Sequence, residues 1–245
     1  MRKHGNFEAD GRNNWERMLA GDWYIGDHPK MAEVSRRSQR LLKLYEQALP
    51  EDPDIAHYLL QQILGSVGER VTIRPPFRVD YGFNIHIGEG VWVNYGLTAL
   101  DVAEIRIGND VLIGPNCQLL TPVHPLEHGP RREGWESAEP ITIEDNVWLA
   151  SGVTVCQGVA IGHDSVVGAG SVVTRSLPPY SLAVGNPARV IRELREGEDL
   201  HGALWACSPR SPIRSRTYGV KGRTHLSFDM CADFSQAVQP SMRER

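Results

Sequence analysis

One histidine, His124, lies in the only long interruption of an otherwise regular sequence, and its position suggests chemistry. It sits in the segment TPVHP, between Pro122 and Pro125, which restrict the backbone on both sides. An imidazole can take up a proton near neutral pH, so His124 can act as a general base. Glu136, on the same segment, could orient the imidazole. An ordinary loop histidine and a solvated glutamate fit the same pattern.

A second group of residues could hold a ligand rather than react with it. Trp148 lies between Val147 and Leu149, so strand alternation points it outward, as an intersubunit contact or a stacking surface. Four small residues would let a thin ligand approach the backbone, although turn sterics explain them equally well: Ser151, Ala169, Gly170 and Ser171. Three arginines could meet phosphates or be ordinary surface charges: Arg175, Arg189 and Arg192.

The elements that position these residues follow a six-residue period, which fits neither a helix nor a plain strand. The clearest series of apolar residues is Ile143, Leu149, Val155, Ile161, Val167 and Val173. Two shorter series precede it: Ile87, Val93 and Ala99, then Ile107, Ile113 and Leu119. Hexapeptide repeats are typical of a parallel β-helix, whose stacked coils share one interior. The sequence therefore predicts a mainly β protein.

The remaining segments complete the predicted organisation. Residues 1–65 are expected to form an α-helical cap, with Asn14 as the N-cap of its first helix. Residues 66–196 form the β-helix, and the polar, Pro- and Gly-rich stretch 120–140 is an insertion that leaves the coils as a loop. Residues 197–245 have no hexads and are expected to be a poorly ordered or loosely docked extension.

The amino-acid composition argues against several classes of function. The formal net charge is −4, with no basic face, which gives little support to nucleic-acid binding. No apolar run is long enough for a transmembrane helix, and the N-terminus lacks the apolar region of a signal peptide. The four cysteines show no metal-type spacing, which favours reduced thiols in a cytoplasmic protein.

Several stretches, in this order, resemble the maltose/galactoside O-acetyltransferase group of the hexapeptide-repeat acyltransferases. They are MLAGDWY, PPFRVDYGFNIHIG, TPVHP, PITIEDNVWLASGVTV and IGHDSVVGAGSVVTRSLPPYSLAVGNPARVIREL. The resemblance covers about residues 14–195. It implies a left-handed β-helix, a homotrimer with active sites between adjacent subunits, acetyl-CoA as donor and a sugar hydroxyl as acceptor. No metal, nucleic-acid or membrane partner is expected.

The same resemblance implies roles for individual residues. His124 matches the catalytic base, and Trp148 matches the aromatic beside the pantetheine arm. The acceptor-site matches are Asp80 and Asn94, with Asp27 as a candidate. The coenzyme-contact matches are Ser151, Ala169, Thr174, Arg175, Arg189 and Arg192. Trp135 and Ala150 depart from the family, where smaller residues and Gly are usual; the first departure could alter acceptor choice.

The predicted reaction is direct attack of the sugar oxygen on the thioester, with His124 as base and a backbone N–H near Ser151 stabilising the oxyanion. Two alternative hypotheses assign the protein to other functional classes. A carbonic anhydrase-like metal enzyme would need about three histidines at one metal. The available histidines are His86, His124, His128 and His163. The other reading is a non-catalytic scaffold on the same fold.

Overall fold

The computed structural model of the protein describes Phe7 and residues 10–197, so the predicted extension lies, from residue 198 onward, outside the described residues. The helices are α1 (Asn14–Leu19), α2 (Pro29–Ala48), α3 (Pro53–Ile63) and α4 (His128–Arg132). The strands are β1 (Tyr24–Ile25), β2 (Ser66–Val67), β3 (Thr72–Ile73), β4 (Arg78–Val79), β5 (Ile85–Ile87), β6 (Trp92–Val93), β7 (Thr98–Leu100), β8 (Ile105–Ile107), β9 (Leu112–Ile113), β10 (Gln118–Leu120), β11 (Pro122–Val123), β12 (Trp135–Ala138), β13 (Ile141–Ile143), β14 (Trp148–Leu149), β15 (Thr154–Val155), β16 (Ala160–Ile161), β17 (Val166–Val167), β18 (Val172–Val173), β19 (Ser181–Gly185) and β20 (Ala188–Glu193).

Short parallel strands stack into a three-sided solenoid, which confirms the predicted parallel β-helix. Face I has the order β16-β13-β8-β5-β2, and face III has the order β18-β15-β10-β7-β4. Face II has the order β20-β19-β17-β14-β9-β6-β3, in which the β19–β20 pair is antiparallel. The chain passes from face I to II to III and back. We call the turns from face II to III corner II/III, and the segments from face III to I corner III/I.

The six-residue period places one apolar side chain of each strand inside the solenoid, directly above its equivalent in the next coil. On face I the stacked residues are Ile87, Ile107, Ile143 and Ile161. On face II they are Val93, Ile113, Leu149 and Val167. On face III they are Ala99, Leu119, Val155 and Val173. All are at most 4% exposed, so one continuous apolar interior runs along the coils.

The cap extends this interior over the first coil. Leu42 of α2 and Leu60 of α3 join the same buried cluster, and the Tyr45 hydroxyl donates to the Ile73 carbonyl at 2.6 Å. The predicted N-cap is wrong by one residue: Asn13 caps α1 in a capping box with Glu16. Asn14 uses its side chain elsewhere, as described below. Within the described chain, no helix is both long and apolar enough to cross a membrane.

The insertion at corner III/I is more ordered than a loop. It contains β11, α4 and β12, and β12 lies between β11 and β1 in an antiparallel three-stranded sheet. This sheet joins the N-terminal cap to the insertion. It therefore fixes the surroundings of His124.

Candidate active site

His124 follows β11 on the insertion, and its side chain is exposed. Its Nδ1 atom lies 3.3 Å from the backbone oxygen of Trp135. A carbonyl oxygen can only accept, so this hydrogen bond requires the proton on Nδ1. The neutral ring then carries its lone pair on Nε2, which is the form that a general base needs.

Glu136 lies at the centre of the three-stranded sheet. It is directly opposite Tyr24 of β1, and Val123 of β11 is opposite Ser137. Directly opposed side chains share a face, so Tyr24 and Glu136 lie on the same face of the sheet, and His124 follows the last paired residue of β11. The imidazole nevertheless bonds to the Trp135 carbonyl, and an orienting role for Glu136 stays a prediction.

Two aspartates join Glu136 at corner III/I. Asp101 is fully buried and accepts backbone hydrogen bonds from Asp80 at 3.1 Å, Tyr81 at 2.9 Å and Asn84 at 3.3 Å. Burial raises the pKa of Asp101, while the backbone hydrogen bonds from Tyr81 and Asn84 act in the opposite direction. Burial raises the pKa of Asp80 to about 6, with further contributions from Asp101 and Glu136. Asp80 therefore lies close to two other acidic side chains, and this acidic cluster is suited to hydroxyl or amine donors.

Asp27 lies at the edge of the same region. Its Oδ1 accepts a hydrogen bond from Asn14 Nδ2 at 2.7 Å, and Asn14 Oδ1 accepts from the Ile25 backbone at 3.1 Å. Asp27 and Trp135 both line a cavity of about 610 Å³. The Trp135 ring is 8% exposed and lies 5.2 Å from the Arg17 guanidinium. Trp135 therefore connects the two places: it lines this cavity, and its backbone oxygen contacts His124.

Trp148 occupies the outward position of β14 on face II and is partly buried. In register, its neighbours in the adjacent coils are Leu112 and Val166, and Leu112 is followed by Trp92. Leu112 is 48% exposed and Trp92 is 40% exposed. The sequence prediction of an outward Trp148 agrees with this position. The four residues form an apolar ladder, a name we keep for this strip of face II.

Other predicted ligand residues lie beside the ladder at corner II/III. Ser151 and Ala169 are exposed in turns of neighbouring coils, and the Gly170 N–H donates to the Ser151 carbonyl at 2.9 Å. Asn94 follows β6 at the same corner, where its Oδ1 accepts from the Tyr95 backbone at 2.8 Å. A ligand lying along corner II/III could contact all three turns.

The remaining predicted coenzyme residues are divided between two places. Arg189 and Arg192 lie on β20, opposite Val184 and Leu182, at the end of face II. Thr174 and Arg175 follow β18 and are exposed at corner III/I. A single chain therefore does not gather all predicted coenzyme contacts on one surface.

The candidate residues fall into two halves. His124, Glu136, Asp80 and Asp27 belong to corner III/I and the cap, and we call them the acceptor half. Trp148, Ser151 and Ala169 belong to face II and corner II/III, and we call them the donor half. Asn94, which was predicted as an acceptor contact, lies at corner II/III beside them and not at corner III/I. Face III lies between the two halves within one chain.

The histidines needed by a metal enzyme do not converge. His86 Nδ1 lies 2.9 Å from Ser66 Oγ on face I, and His163 Nδ1 lies 2.8 Å from Asp164 Oδ2. Among Phe7 and residues 10–197, no group of three or more His, Cys, Asp or Glu side chains is arranged to hold a metal ion.

Sequence reasoning missed Tyr24 and Asp101. Asp101 is a polar residue inside a coil, and its burial follows from the turn at residues 80–84 that wraps around it. Tyr24 belongs to a two-residue strand with no periodic pattern. The only available signal was the tyrosine in the segment MLAGDWY.

Comparison with known proteins identifies related chains. Residues 17–68 match the maltose acetyltransferase hexapeptide capping motif, and residues 140–175 match the bacterial transferase hexapeptide repeats. Galactoside O-acetyltransferase of Escherichia coli K12 is 38% identical over 181 residues, covering 74% of this chain and 89% of that protein.

Two solved structures share the fold at high coverage. A maltose O-acetyltransferase from Clostridium difficile 630 is 38% identical, with a TM-score of 0.73, and covers 76% of this chain and 100% of its own. A hexapeptide-repeat acetyltransferase from Vibrio cholerae, solved with acetyl coenzyme A, is 35% identical, with a TM-score of 0.70, and also covers 76% and 100%.

Proposed function

Because the chain belongs to the maltose and galactoside O-acetyltransferase family of hexapeptide-repeat acetyltransferases, we propose that it transfers the acetyl group of acetyl-CoA to a sugar hydroxyl. The supporting observation from this chain is the hydrogen bond between His124 Nδ1 and the Trp135 carbonyl. It leaves Nε2 of an exposed imidazole free to take the hydroxyl proton.

The reaction then follows in two bond changes. His124 Nε2 takes the proton of the sugar hydroxyl as the oxygen attacks the thioester carbonyl, forming a carbon–oxygen bond. Backbone N–H groups of the turn at Ser151 stabilise the oxyanion. The carbon–sulfur bond breaks, and the coenzyme thiolate takes the proton from His124. Neither Cys117 nor Cys156 is needed as a nucleophile.

The separation of the two halves supports a homotrimer with composite sites. The acceptor half of one subunit would meet the donor half of its neighbour, which repeats around a threefold axis. The apolar ladder supports the same arrangement, since large apolar side chains exposed in a row are typical of interfaces or ligand grooves. Trp148 would then lie at the junction of coenzyme and subunit contact.

The test is sugar-dependent release of coenzyme A thiol from acetyl-CoA by purified protein, with a panel of neutral sugars. His124→Ala should lower kcat by about 10²–10⁴, the usual contribution of a general base. His128→Ala is the matched control, because His128 is an exposed histidine of the same insertion. Near-normal turnover in His124→Ala would contradict the assignment of the base. Thiol release with no sugar dependence would contradict the acceptor class.

A further inference from the structure

Arg74 carries a positive charge that is held in place by aromatic rings. It follows β3 at corner II/III and is half-buried, and its guanidinium carbon lies 4.9 Å from the ring centre of Trp92 and 4.9 Å from that of Tyr95. Within the described part of the chain, no carboxylate or other hydrogen-bond acceptor pairs with this guanidinium. Arg106 on face I differs, because it donates to the Glu104 carboxylate at 2.6 and 2.8 Å. We call Arg74, Trp92 and Tyr95 the Arg74 clamp.

The contacts of Arg74 suit it to bind an anion. Aromatic rings stack on the faces of a guanidinium, which leaves the N–H groups at its edges available to donate. The two rings limit the motion of the side chain, so little conformational freedom is lost when a ligand binds. The planar fork of N–H donors matches a carboxylate or phosphate group, often through two parallel hydrogen bonds. The clamp therefore has the chemistry of an oxyanion site.

The clamp lies on the same corner as the turn that stabilises the oxyanion in the proposed reaction. Arg74 follows β3, but both rings belong to the next coil, so the guanidinium reaches towards the later coils. The turn of Ser151 follows β14, and β6, β9 and β14 are successive strands of face II. Two strand spacings separate β6 from β14, which is about 10 Å along the corner. An acceptor the size of a small saccharide can span this distance.

The predicted coenzyme contacts lie on the other side of Ser151. Ala169 follows β17, and Arg189 and Arg192 lie on β20, so these residues lead away from the clamp towards the last strands of face II. A coenzyme that follows them leaves the side of Ser151 that faces the clamp for the acceptor. The carboxylates of the acceptor half would repel an anion, so an anionic group on the acceptor needs a cation elsewhere. The clamp supplies that cation.

We propose that the Arg74 clamp binds a carboxylate or phosphate group of the acceptor through hydrogen bonds from the guanidinium. This inference rests on the proposed acetyl transfer and names its acceptor class, a sugar with an anionic substituent on the order of 10 Å from the hydroxyl that reacts. The clamp acts in binding and takes no part in the bond changes. It therefore determines which acceptor is used without altering how the acetyl group is transferred.

The experiment measures kcat/KM, by coenzyme A thiol release, for acceptor pairs that differ in charge. The pairs are phenyl and 4-carboxyphenyl glycosides, and methyl glycosides and sugar 1-phosphates, of glucose and galactose. Arg74→Gln should lower the ratio of anionic to neutral acceptor about tenfold in at least one pair, as expected for lost hydrogen bonds between charged groups. The value for the neutral acceptor should change less than about twofold.

Two further variants test the nature of the contact. Arg74→Lys should give a smaller loss than Arg74→Gln, because it keeps the charge but not the planar fork. Arg106→Gln is the matched control, since it removes an arginine charge from face I, where Arg106 pairs with Glu104, and it should leave every ratio unchanged.

The same variants distinguish the acceptor from other sources of an anion. A raised KM for acetyl-CoA in Arg74→Gln would assign the clamp to the coenzyme phosphates, and a smaller assembly in size-exclusion chromatography would assign it to a carboxylate of a second subunit. Either result overturns the inference. An unchanged ratio in every pair, with neutral sugars still acetylated, also overturns it and leaves the proposed function intact. Absence of wild-type transfer to every sugar, neutral or anionic, removes the proposed function and this inference together.

Discussion

Asp80→Asn is predicted to stabilise the protein at neutral pH, although Asp80 belongs to the acceptor half. Its carboxylate lies partly buried, close to the carboxylates of Asp101 and Glu136, and its pKa is raised from the ordinary 3.8 to about 6. The ionised form is therefore less favourable in the folded protein than in the unfolded chain. An asparagine of the same shape avoids that cost.

The size and the pH dependence of the effect follow from the two pKa values. One pKa unit corresponds to about 1.4 kcal/mol, so a rise from 3.8 to about 6 sets an upper bound of about 3 kcal/mol. Solvent screening of a partly exposed group reduces the expected gain to about 1–2 kcal/mol. Because the folded pKa is the higher one, wild-type stability is fully present below about pH 4 and is lost as pH rises through about 6. The advantage of Asp80→Asn should thus be absent near pH 4 and complete above about pH 7.

Urea unfolding at several pH values between 4.5 and 8, at one protein concentration, measures the free energy of unfolding of both proteins. Asp54→Asn is the control, because Asp54 is an exposed carboxylate in the first turn of α3. It should give no gain that grows with pH. A variant Asp80→Asn that is less stable than wild type at pH 8, or whose advantage is the same at pH 5, would refute the reasoning.

Two further predictions concern the core and the assembly. Ile143 is 1% exposed and lies between Ile107 and Ile161, so Ile143→Ala should lower the free energy of unfolding by about 2–5 kcal/mol. Thr142→Ala, on the outer side of the same strand, should change it by less than about 0.5 kcal/mol. Urea unfolding measures both. Co-expression of equal amounts of His124→Ala and Trp148→Ala chains, each weakly active alone, should restore about one quarter of all sites if chains mix at random and the halves come from adjacent subunits. No recovery in the acetyl-transfer assay would contradict the intersubunit site.

The coils were predictable from the sequence because each coil packs only on its neighbours and repeats the same six-residue pattern. Ile143, Ile161 and their equivalents repeat at fixed spacing, so local pattern alone determines which side chains face inward. The acceptor half, in contrast, is assembled from segments that are far apart in the sequence. Tyr24 meets Glu136 through a two-residue strand, and pairings between such distant, short segments leave no periodic trace in the sequence. His124 and Glu136 were singled out by their place in the insertion, Asp80 and Asp27 only through the family resemblance, and Asp101 and Tyr24, both buried, not at all.

The three-stranded sheet has a consequence for the order in which the protein is made. Each coil contacts only its neighbours, so coils can fold as they leave the ribosome. Tyr24, in contrast, must wait for Glu136, about 110 residues later, which takes on the order of 10 s at usual rates of synthesis. Most of the solenoid's early coils are complete before that strand is translated. The acceptor half is therefore expected to be among the last parts of the nascent chain to assemble, and the newly made N-terminal segment must remain unpaired in the meantime.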